Sequence, residues 1–242
     1  MQAHGLASDP VSMGKPTDFD PYGETYREAV ERSIAFSGAG LDVFTRAKVR
    51  QLLELSTRRL ADPGSLSFLD VGCGPGETHR WLEGRVGALT GVDTSPEMIE
   101  VARGRNPWAD YLTVDGDLAF PDESFDVCFA ICVLHHVRRP ERPALMADMA
   151  RVTRAGGVVA VFEHNPWNPL TRKAVARCEF DRDAELLPRR ESEALLRGAG
   201  LTDLEGSYIV FFTRESARLQ RIERRLRRLP LGAQHVVSGR RR

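Results

Sequence analysis

The nine residues from Phe68 to Gly76 constrain this chain more than any other segment. They read Phe-Leu-Asp-Val-Gly-Cys-Gly-Pro-Gly, an apolar run that ends in the pattern Asp-x-Gly-x-Gly-x-Gly. Because glycine lacks a Cβ atom, its backbone can turn tightly and can approach a bound molecule closely. The pattern therefore predicts a buried strand followed by a loop that holds an adenosine-bearing cofactor.

The spacing of these glycines separates two classes of cofactor. The dinucleotide fingerprint Gly-x-Gly-x-x-Gly would require glycine at position 77, but the sequence has Glu77 there and its third glycine is Gly76. In dinucleotide-binding proteins a helix N-terminus faces the pyrophosphate at this point, and an adjacent carboxylate would repel that group. The loop favours a cofactor without phosphates, and NAD binding is the alternative.

A second carboxylate follows the next predicted strand. The apolar segment 88–92 ends at Asp93, where the second strand of a βαβ unit should finish. A carboxylate at this point can accept hydrogen bonds from both hydroxyls of a ribose. The alternative role for Asp93 is a helix cap, for which Ser95 is the better candidate because Pro96 follows it.

Four further segments follow the glycine loop in order. They are Gly-Val-Asp-Thr-Ser-Pro-Glu-Met at 91–98, Phe-Pro-Asp-Glu-Ser-Phe-Asp-Val at 120–127, Val-Leu-His-His-Val at 133–137 and Arg-Val-Thr-Arg-Ala-Gly-Gly at 151–157. With the loop, they resemble the class I S-adenosylmethionine-dependent methyltransferases, in particular the small-molecule branch related to the quinone-methylating enzymes. The resemblance runs from about Phe68 to about Phe162. Ala155 departs from it, because the family usually has proline before the paired glycines.

The resemblance implies a set of residues that bind S-adenosyl-L-methionine at the ends of the first four strands. They are Asp70, Gly72, Gly74, Asp93, Thr94, Met98, Asp115, Gly116, Ala130 and Ile131. By the resemblance, Asp70 lies near the methionine part of the cofactor, Asp93 near the ribose and Asp115 near the adenine edge. The acidic loop is one residue shorter than in the family, so Asp117 is the alternative to Asp115.

The implied chemistry is displacement at a methyl carbon bonded to a positively charged sulfur. The protein mainly aligns a nucleophile with the carbon–sulfur axis, and such positioning is worth ~7–11 kcal/mol. A hydroxyl nucleophile also needs a base, and histidine has a suitable pKa of about 6.5. Candidates follow the fourth and fifth strands: His135, His136, Glu163, His164 and Asn165. His136 and His164 are the predicted catalytic residues, and the alternative for His136 is structural support of its loop.

Alternating strand and helix signals predict an α/β fold. Strands are expected near 66–70, 88–92, 110–114, 125–131, 157–163, 203–212 and 233–237, with helices between the first five. The alternation predicts a Rossmann-like, doubly wound, mostly parallel seven-stranded sheet with helices on both faces. The expected organisation is a disordered segment 1–18, a helical lid 19–62, a cofactor-binding core 63–213, and a basic amphipathic helix with a final strand over 214–242.

Positive charge is concentrated near the C-terminus. The formal net charge is zero, but residues 214–242 contain ten arginines and two glutamates, a local charge of +8. Between 214 and 229 the leucines and isoleucine share one helical face, and the arginines occupy the others. This pattern fits an apolar stripe packed on the core with a solvated cationic face. The alternatives are a helix that lies on an anionic membrane, a cover of the substrate pocket, and contact with phosphates of a substrate or RNA.

Composition excludes other classes of protein. No apolar run approaches the ~20 residues of a membrane span, and residues 1–24 lack the apolar core of a signal peptide, so we expect a cytoplasmic location. The four cysteines have no zinc-ligand spacing, and we expect neither a metal site nor disulfides. The chain lacks both a Pro-Cys dipeptide and an Asn/Asp-Pro-Pro-aromatic segment, which argues against a nucleic-acid acceptor.

The predicted function is S-adenosylmethionine-dependent methyl transfer to a small-molecule acceptor. A hydroxyl oxygen is the expected acceptor atom, in a specialised-metabolite or glycan pathway. The alternatives are an NAD-binding oxidoreductase and a noncatalytic cofactor-binding or membrane-surface scaffold. The sequence identifies neither the acceptor nor the oligomeric state.

Overall fold

The computed structural model of the chain describes residues 25–214 and 216–242. The segment 1–18, for which the sequence predicts disorder, and the first residues of the predicted lid lie outside these ranges.

A single sheet organises the described residues. Its strands are β1 (Ser67–Val71), β2 (Ala88–Asp93), β3 (Asp110–Thr113), β4 (Phe125–Ile131), β5 (Thr153–His164), β6 (Thr202–Ile209) and β7 (Gln234–Arg240). Their order across the sheet is β3-β2-β1-β4-β5-β7-β6. The first five strands pair in parallel, and β7 is antiparallel to both β5 and β6. The predicted mostly parallel, seven-stranded, Rossmann-like sheet is confirmed.

The strand order locates the ligand-binding edge. The chain runs outward from β1 through β2 to β3, then returns to place β4 on the other side of β1. Loops that leave β1 and β4 therefore diverge, which opens a crevice at the carboxyl ends of these strands.

Seven α-helices surround the sheet in the described part of the chain. They are α1 (Tyr26–Ile34), α2 (Leu41–Arg59), α3 (Pro96–Arg105), α4 (Arg142–Val152), α5 (Pro169–Val175), α6 (Arg189–Gly198) and α7 (Ala217–Leu226). The expectation of a helix after every early strand is wrong at two connections. A single 3₁₀ turn, His79–Trp81, joins β1 to β2, and no helix joins β3 to β4. The connection from β1 to β2 contains several glycines. One of them, Gly84, adopts φ +66°, a left-handed conformation that ends helical structure soon after the 3₁₀ turn.

The core has two layers because alternate strand residues face opposite sides. Leu69 and Cys128 pack on the side of α4 and α6. Phe68 and Phe129 pack on the side of α2, with ring centroids 6.4 Å apart. This period of two also fixes which side chains at the strand ends face the crevice.

The basic C-terminal segment contributes to the sheet. Its strand β7 lies between β5 and β6, and Val237 is fully buried. The predicted boundary at residue 214 therefore divides strands that are hydrogen-bonded to each other. No helix within 25–214 and 216–242 is both long and apolar enough to cross a lipid bilayer.

Candidate active site

A cavity of about 270 Å³ lies at the carboxyl ends of β1, β2 and β4. The loops that follow these strands form one side, and residues of α1, α2 and α5 form the other. Of the predicted site residues, nine line it: Asp70, Gly72, Gly74, Asp93, Thr94, Met98, Ile131, His136 and His164.

The glycines of the loop after β1 are required by conformation and by packing. Gly72, Gly74 and Gly76 have φ of +72°, +51° and +69°, a region that side chains rarely adopt. A Cβ on Gly72 would lie 2.6 Å from Val133 Cγ2, whereas a Cβ on Gly74 would meet nothing within 4 Å. The open space beside Gly74, which lines the cavity, leaves its backbone accessible to a ligand.

Asp93 connects the two loops that border the cavity. Its carboxylate accepts hydrogen bonds from the backbone nitrogens of Gly74 at 2.8 Å and Ser95 at 3.0 Å. Ser95 is the N-cap of α3, as the sequence predicts, and its hydroxyl accepts from the Met98 nitrogen at 3.2 Å. Burial raises the pKa of Asp93, and the backbone hydrogen bonds oppose that effect. Each carboxylate oxygen has further lone pairs with which to accept from a ligand.

Asp70 belongs to a buried network that the sequence did not reveal. His79 Nε2 lies 2.8 Å from Asp70 Oδ2, and His79 Nδ1 lies 2.6 Å from the Tyr111 hydroxyl. The second oxygen, Asp70 Oδ1, is buried and has no hydrogen-bond partner within the described chain, although Asp70 lines the cavity. A buried carboxylate oxygen without a donor is costly, and a cationic ligand group would satisfy it.

Lys48 presents a buried cation to the same cavity. It extends from α2, is 6% exposed, and has its Nζ 3.9 Å from Cys132 Sγ. No carboxylate of residues 25–214 and 216–242 forms an ion pair with it. Lysine is rarely buried without a counter-charge, so this site is suited to an anionic ligand group.

A second cluster lies where β4 and β5 end. Glu163 Oε1 accepts from the backbone nitrogens of Val133 at 3.1 Å and Leu134 at 2.8 Å, and its Oε2 lies 2.5 Å from His135 Nδ1. Asp181 Oδ1 lies 3.7 Å from His135 Nε2 and 3.2 Å from His136 Nε2. His135 is therefore held between two carboxylates, and Asp181 orients His136.

The histidines of this cluster differ in charge at neutral pH. Burial alone would lower the pKa of His135, but the two carboxylates outweigh it and raise that pKa to about 10. Burial alone would raise the pKa of Glu163, but the charge of His135 holds it at about 2. Burial and the positive charge of His135 lower the pKa of His136, and they lower that of His164 to about 4. At neutral pH, His136 and His164 are uncharged and able to accept a proton.

His135, His136 and Asp181 also offer ligand atoms within 4.8 Å of one another, close enough to hold a metal ion. Cysteine spacing, on which the sequence expectation of no metal site depended, could not reveal this group. The hydrogen bonds to Glu163 and Asp181 account for the arrangement without requiring a metal.

Three predicted cofactor residues do not line the cavity. The side chain of Ala130 packs in the core beside α4, because it points to the opposite face of β4 from Ile131. Asp115 is exposed to solvent, and Gly116 is buried elsewhere in the loop after β3. That loop is tied to α4, since Asp148 Oδ2 accepts from the Leu118 nitrogen at 2.5 Å.

Comparison with known proteins agrees with this geometry. Residues 69–161 match a family model described as a methyltransferase domain. This part of the chain is a class I S-adenosylmethionine-dependent methyltransferase domain. The chain is 39% identical over 101 residues to a demethylmenaquinone methyltransferase from Tropheryma whipplei, a match that covers 40% of this chain and 41% of that relative. The chain thus spans about two fifths of the length of the first curated relatives it matches.

Solved structures extend the likeness beyond the methyltransferase domain. A Thermotoga maritima protein described as a possible histamine N-methyltransferase aligns with a TM-score of 0.67 at 19% identity, over 94% of this chain and 100% of that one. A Haemonchus contortus phosphoethanolamine N-methyltransferase, solved with S-adenosyl-L-methionine, aligns with a TM-score of 0.61 at 18% identity, over 96% of this chain and 60% of that one. At these identities the likeness is one of fold.

Proposed function

We propose that the chain transfers a methyl group from S-adenosyl-L-methionine to a hydroxyl oxygen of a small, largely apolar acceptor. The observation that carries the proposal is one cavity that joins the glycine loop and Asp93 to the uncharged His136 and His164. When bound, the cofactor supplies an electrophilic methyl carbon on a positively charged sulfur.

Unsatisfied polar groups of the cavity match the ends of this cofactor. The unpartnered Asp70 Oδ1 is suited to the amino group of the methionine part, and the buried Lys48 ammonium to its carboxylate. Asp93, with its remaining lone pairs, is suited to the ribose hydroxyls. Thr94, Met98 and Ile131 would complete the binding surface. Asp115, Gly116 and Ala130 stay predicted contacts, although they lie off the cavity.

His136 is the stronger candidate for the base. Its imidazole is uncharged at neutral pH, and Asp181 would stabilise the positive charge that forms when it accepts a proton. His164 is also uncharged, but its pKa of about 4 makes it a weaker base. We assign His164 to contact with the acceptor, together with Gln234, whose Nε2 lies 3.5 Å from His164 Nδ1.

The walls of the cavity indicate the character of the acceptor. Aromatic side chains from several elements line it: Tyr26, Phe36, Phe44, Phe180 and Phe211. A sugar acceptor would need many polar partners, whereas these walls favour an apolar body. Of the two predicted pathways, this favours specialised-metabolite chemistry over glycan chemistry.

Two measurements test the proposal. In calorimetry, the whole chain should bind S-adenosylhomocysteine and should not bind NAD; NAD binding alone would favour the oxidoreductase alternative. With radiolabelled cofactor and matched panels of apolar phenols and apolar amines, phenols should be methylated. Methylation of amines alone would overturn the choice of oxygen, and cofactor binding without turnover of any acceptor would favour a scaffold.

A further inference from the structure

Helix α7 exposes charge and apolar surface on the same side. With 3.6 residues per turn, Arg218, Ile222 and Arg225 lie on one stripe of the helix, and all three are exposed. Leu229, in the turn after the helix, is 45% exposed. The opposite side of the helix faces α2, where Glu223 pairs with Arg50 at 3.6 Å.

Six exposed arginines follow one another in this segment, at 218, 221, 224, 225, 227 and 228. No carboxylate of residues 25–214 and 216–242 pairs with them, since Glu223 pairs with Arg50 instead. The segment is thus a concentrated positive surface available to an external anion.

A second apolar surface lies at the loop that follows α7. Trp167, Leu170 and Leu231 are 67%, 59% and 65% exposed. Asn168 Nδ2 donates to the Leu231 carbonyl at 2.7 Å, which fixes the loop before α5 against the loop after α7. Among the described residues, six large apolar side chains are markedly exposed. Five of them lie either in α5 and the loop before it or in α7 and the loop after it. We call this combined surface the docking face, comprising Trp167, Leu170, Arg218, Ile222, Arg225, Leu229 and Leu231.

The docking face borders the cavity. Asn168, Leu170 and Thr171, at the start of α5, also line the cavity wall. A partner seated on this face would therefore lie beside the route into the site.

We propose that the docking face binds the surface of an anionic lipid bilayer. Arginines would contact the lipid phosphates, and Trp167, Leu170 and Leu231 would enter the boundary between headgroups and acyl chains. Aliphatic side chains between the arginines favour lipid over RNA, since a nucleic-acid backbone offers no apolar phase to receive them. The inference goes beyond the proposed function, because lipid binding requires neither cofactor nor acceptor.

Co-sedimentation with vesicles tests the proposal. The whole chain should sediment with vesicles of phosphatidylcholine and phosphatidylglycerol, and high salt or vesicles of phosphatidylcholine alone should release it. The double variant Arg218→Gln, Arg225→Gln should bind roughly tenfold more weakly or worse. Its control is Arg190→Gln, Arg197→Gln on α6, an equal change of charge at exposed positions off the docking face, which should bind as the parent protein does.

Fluorescence supplies a second readout. Of the three tryptophans, Trp81 and Trp108 are half-buried, so brominated lipid should quench Trp167 selectively. The Trp167→Phe variant should lose this quenching.

The proposal that the docking face binds the bilayer would be wrong if both double variants lost vesicle binding equally, or if quenching persisted in Trp167→Phe. Binding to polyuridylate RNA without binding to vesicles would overturn the choice of lipid. Unchanged affinity for S-adenosylhomocysteine in every variant would show that the cofactor site is intact. If the parent protein did not bind S-adenosylhomocysteine at all, that result would count against the proposed function and not against lipid binding.

Discussion

Replacing Lys48 by methionine should weaken the binding of S-adenosylhomocysteine but not that of 5′-methylthioadenosine. The second compound keeps the adenosine and the sulfur and lacks the amino-acid end, so it cannot use Lys48 for a carboxylate. Methionine fills a similar volume without the cation, and Lys48, only 6% exposed, forms no ion pair with a carboxylate of the described residues, although its charge lowers the pKa of Asp70.

A hydrogen bond between charged groups contributes about 1.5–3 kcal/mol, so the Kd for S-adenosylhomocysteine should rise about 10- to 150-fold. Calorimetry of both compounds measures the ratio directly. Lys173→Met is the control, because Lys173 lies over the Phe36 ring at 4.6 Å and does not line the cavity. Equal loss of affinity for both compounds would make Lys48 a structural residue, and no loss for either would refute its contact with the cofactor.

The other site residues give further predictions. Asp93→Ala should raise the Kd for S-adenosylhomocysteine about tenfold or more in calorimetry, and an unchanged Kd would remove its ribose role. His136→Ala should lower turnover ~10²- to 10⁴-fold with cofactor affinity intact, whereas His164→Ala should mainly raise KM for the acceptor. In the parent protein, kcat/KM should rise with pH as His136 loses its proton, through a pKa below 6.5, and then level off. Glu163→Gln breaks a buried ion pair, which costs about 3–5 kcal/mol and should lower Tm by about 6–20 °C in circular dichroism. Glu163 and Asp181 together raise the pKa of His135 from 6.5 to about 10, and His135 holds that of Glu163 at about 2. The contribution of this ion pair to stability should therefore be greatest between about pH 4.5 and 6.5 and should decline toward pH 10, and Glu163→Gln should show less of this decline.

Local sequence signals were sufficient to predict the glycine loop, Asp93 and the Ser95 cap at the edge of the cavity. The glycine loop, Asp93 and the Ser95 cap each depend on a few adjacent residues, and the structure places all of them at the carboxyl ends of β1 and β2. Such signals carry their own conformational requirement, as the positive φ angles of Gly72 and Gly74 illustrate.

Residues that reach the cavity by tertiary packing could not be recognised in the same way. Lys48 is one of many polar residues in its helix, and only its burial beside Cys132, 84 positions away, distinguishes it. Asp181 lies in a single 3₁₀ turn, and its role depends on contact with His136. Neither position has a periodicity or a motif that points to a site.

The side chain of Ala130 lies off the cavity for a simple physical reason. Adjacent residues of a strand point to opposite faces, so the side chains of Ala130 and Ile131 cannot both face the crevice. Ile131 does so, and Ala130 packs in the core.

A crystal structure of the whole chain with S-adenosylhomocysteine tests the central claim most directly. We expect the ribose hydroxyls within hydrogen-bond distance of Asp93, the amino group at Asp70 Oδ1, the carboxylate at Lys48, and the sulfur directed toward His136. A nucleoside bound away from the loop of Gly72 and Gly74, or a ribose without contact to Asp93, would contradict the account.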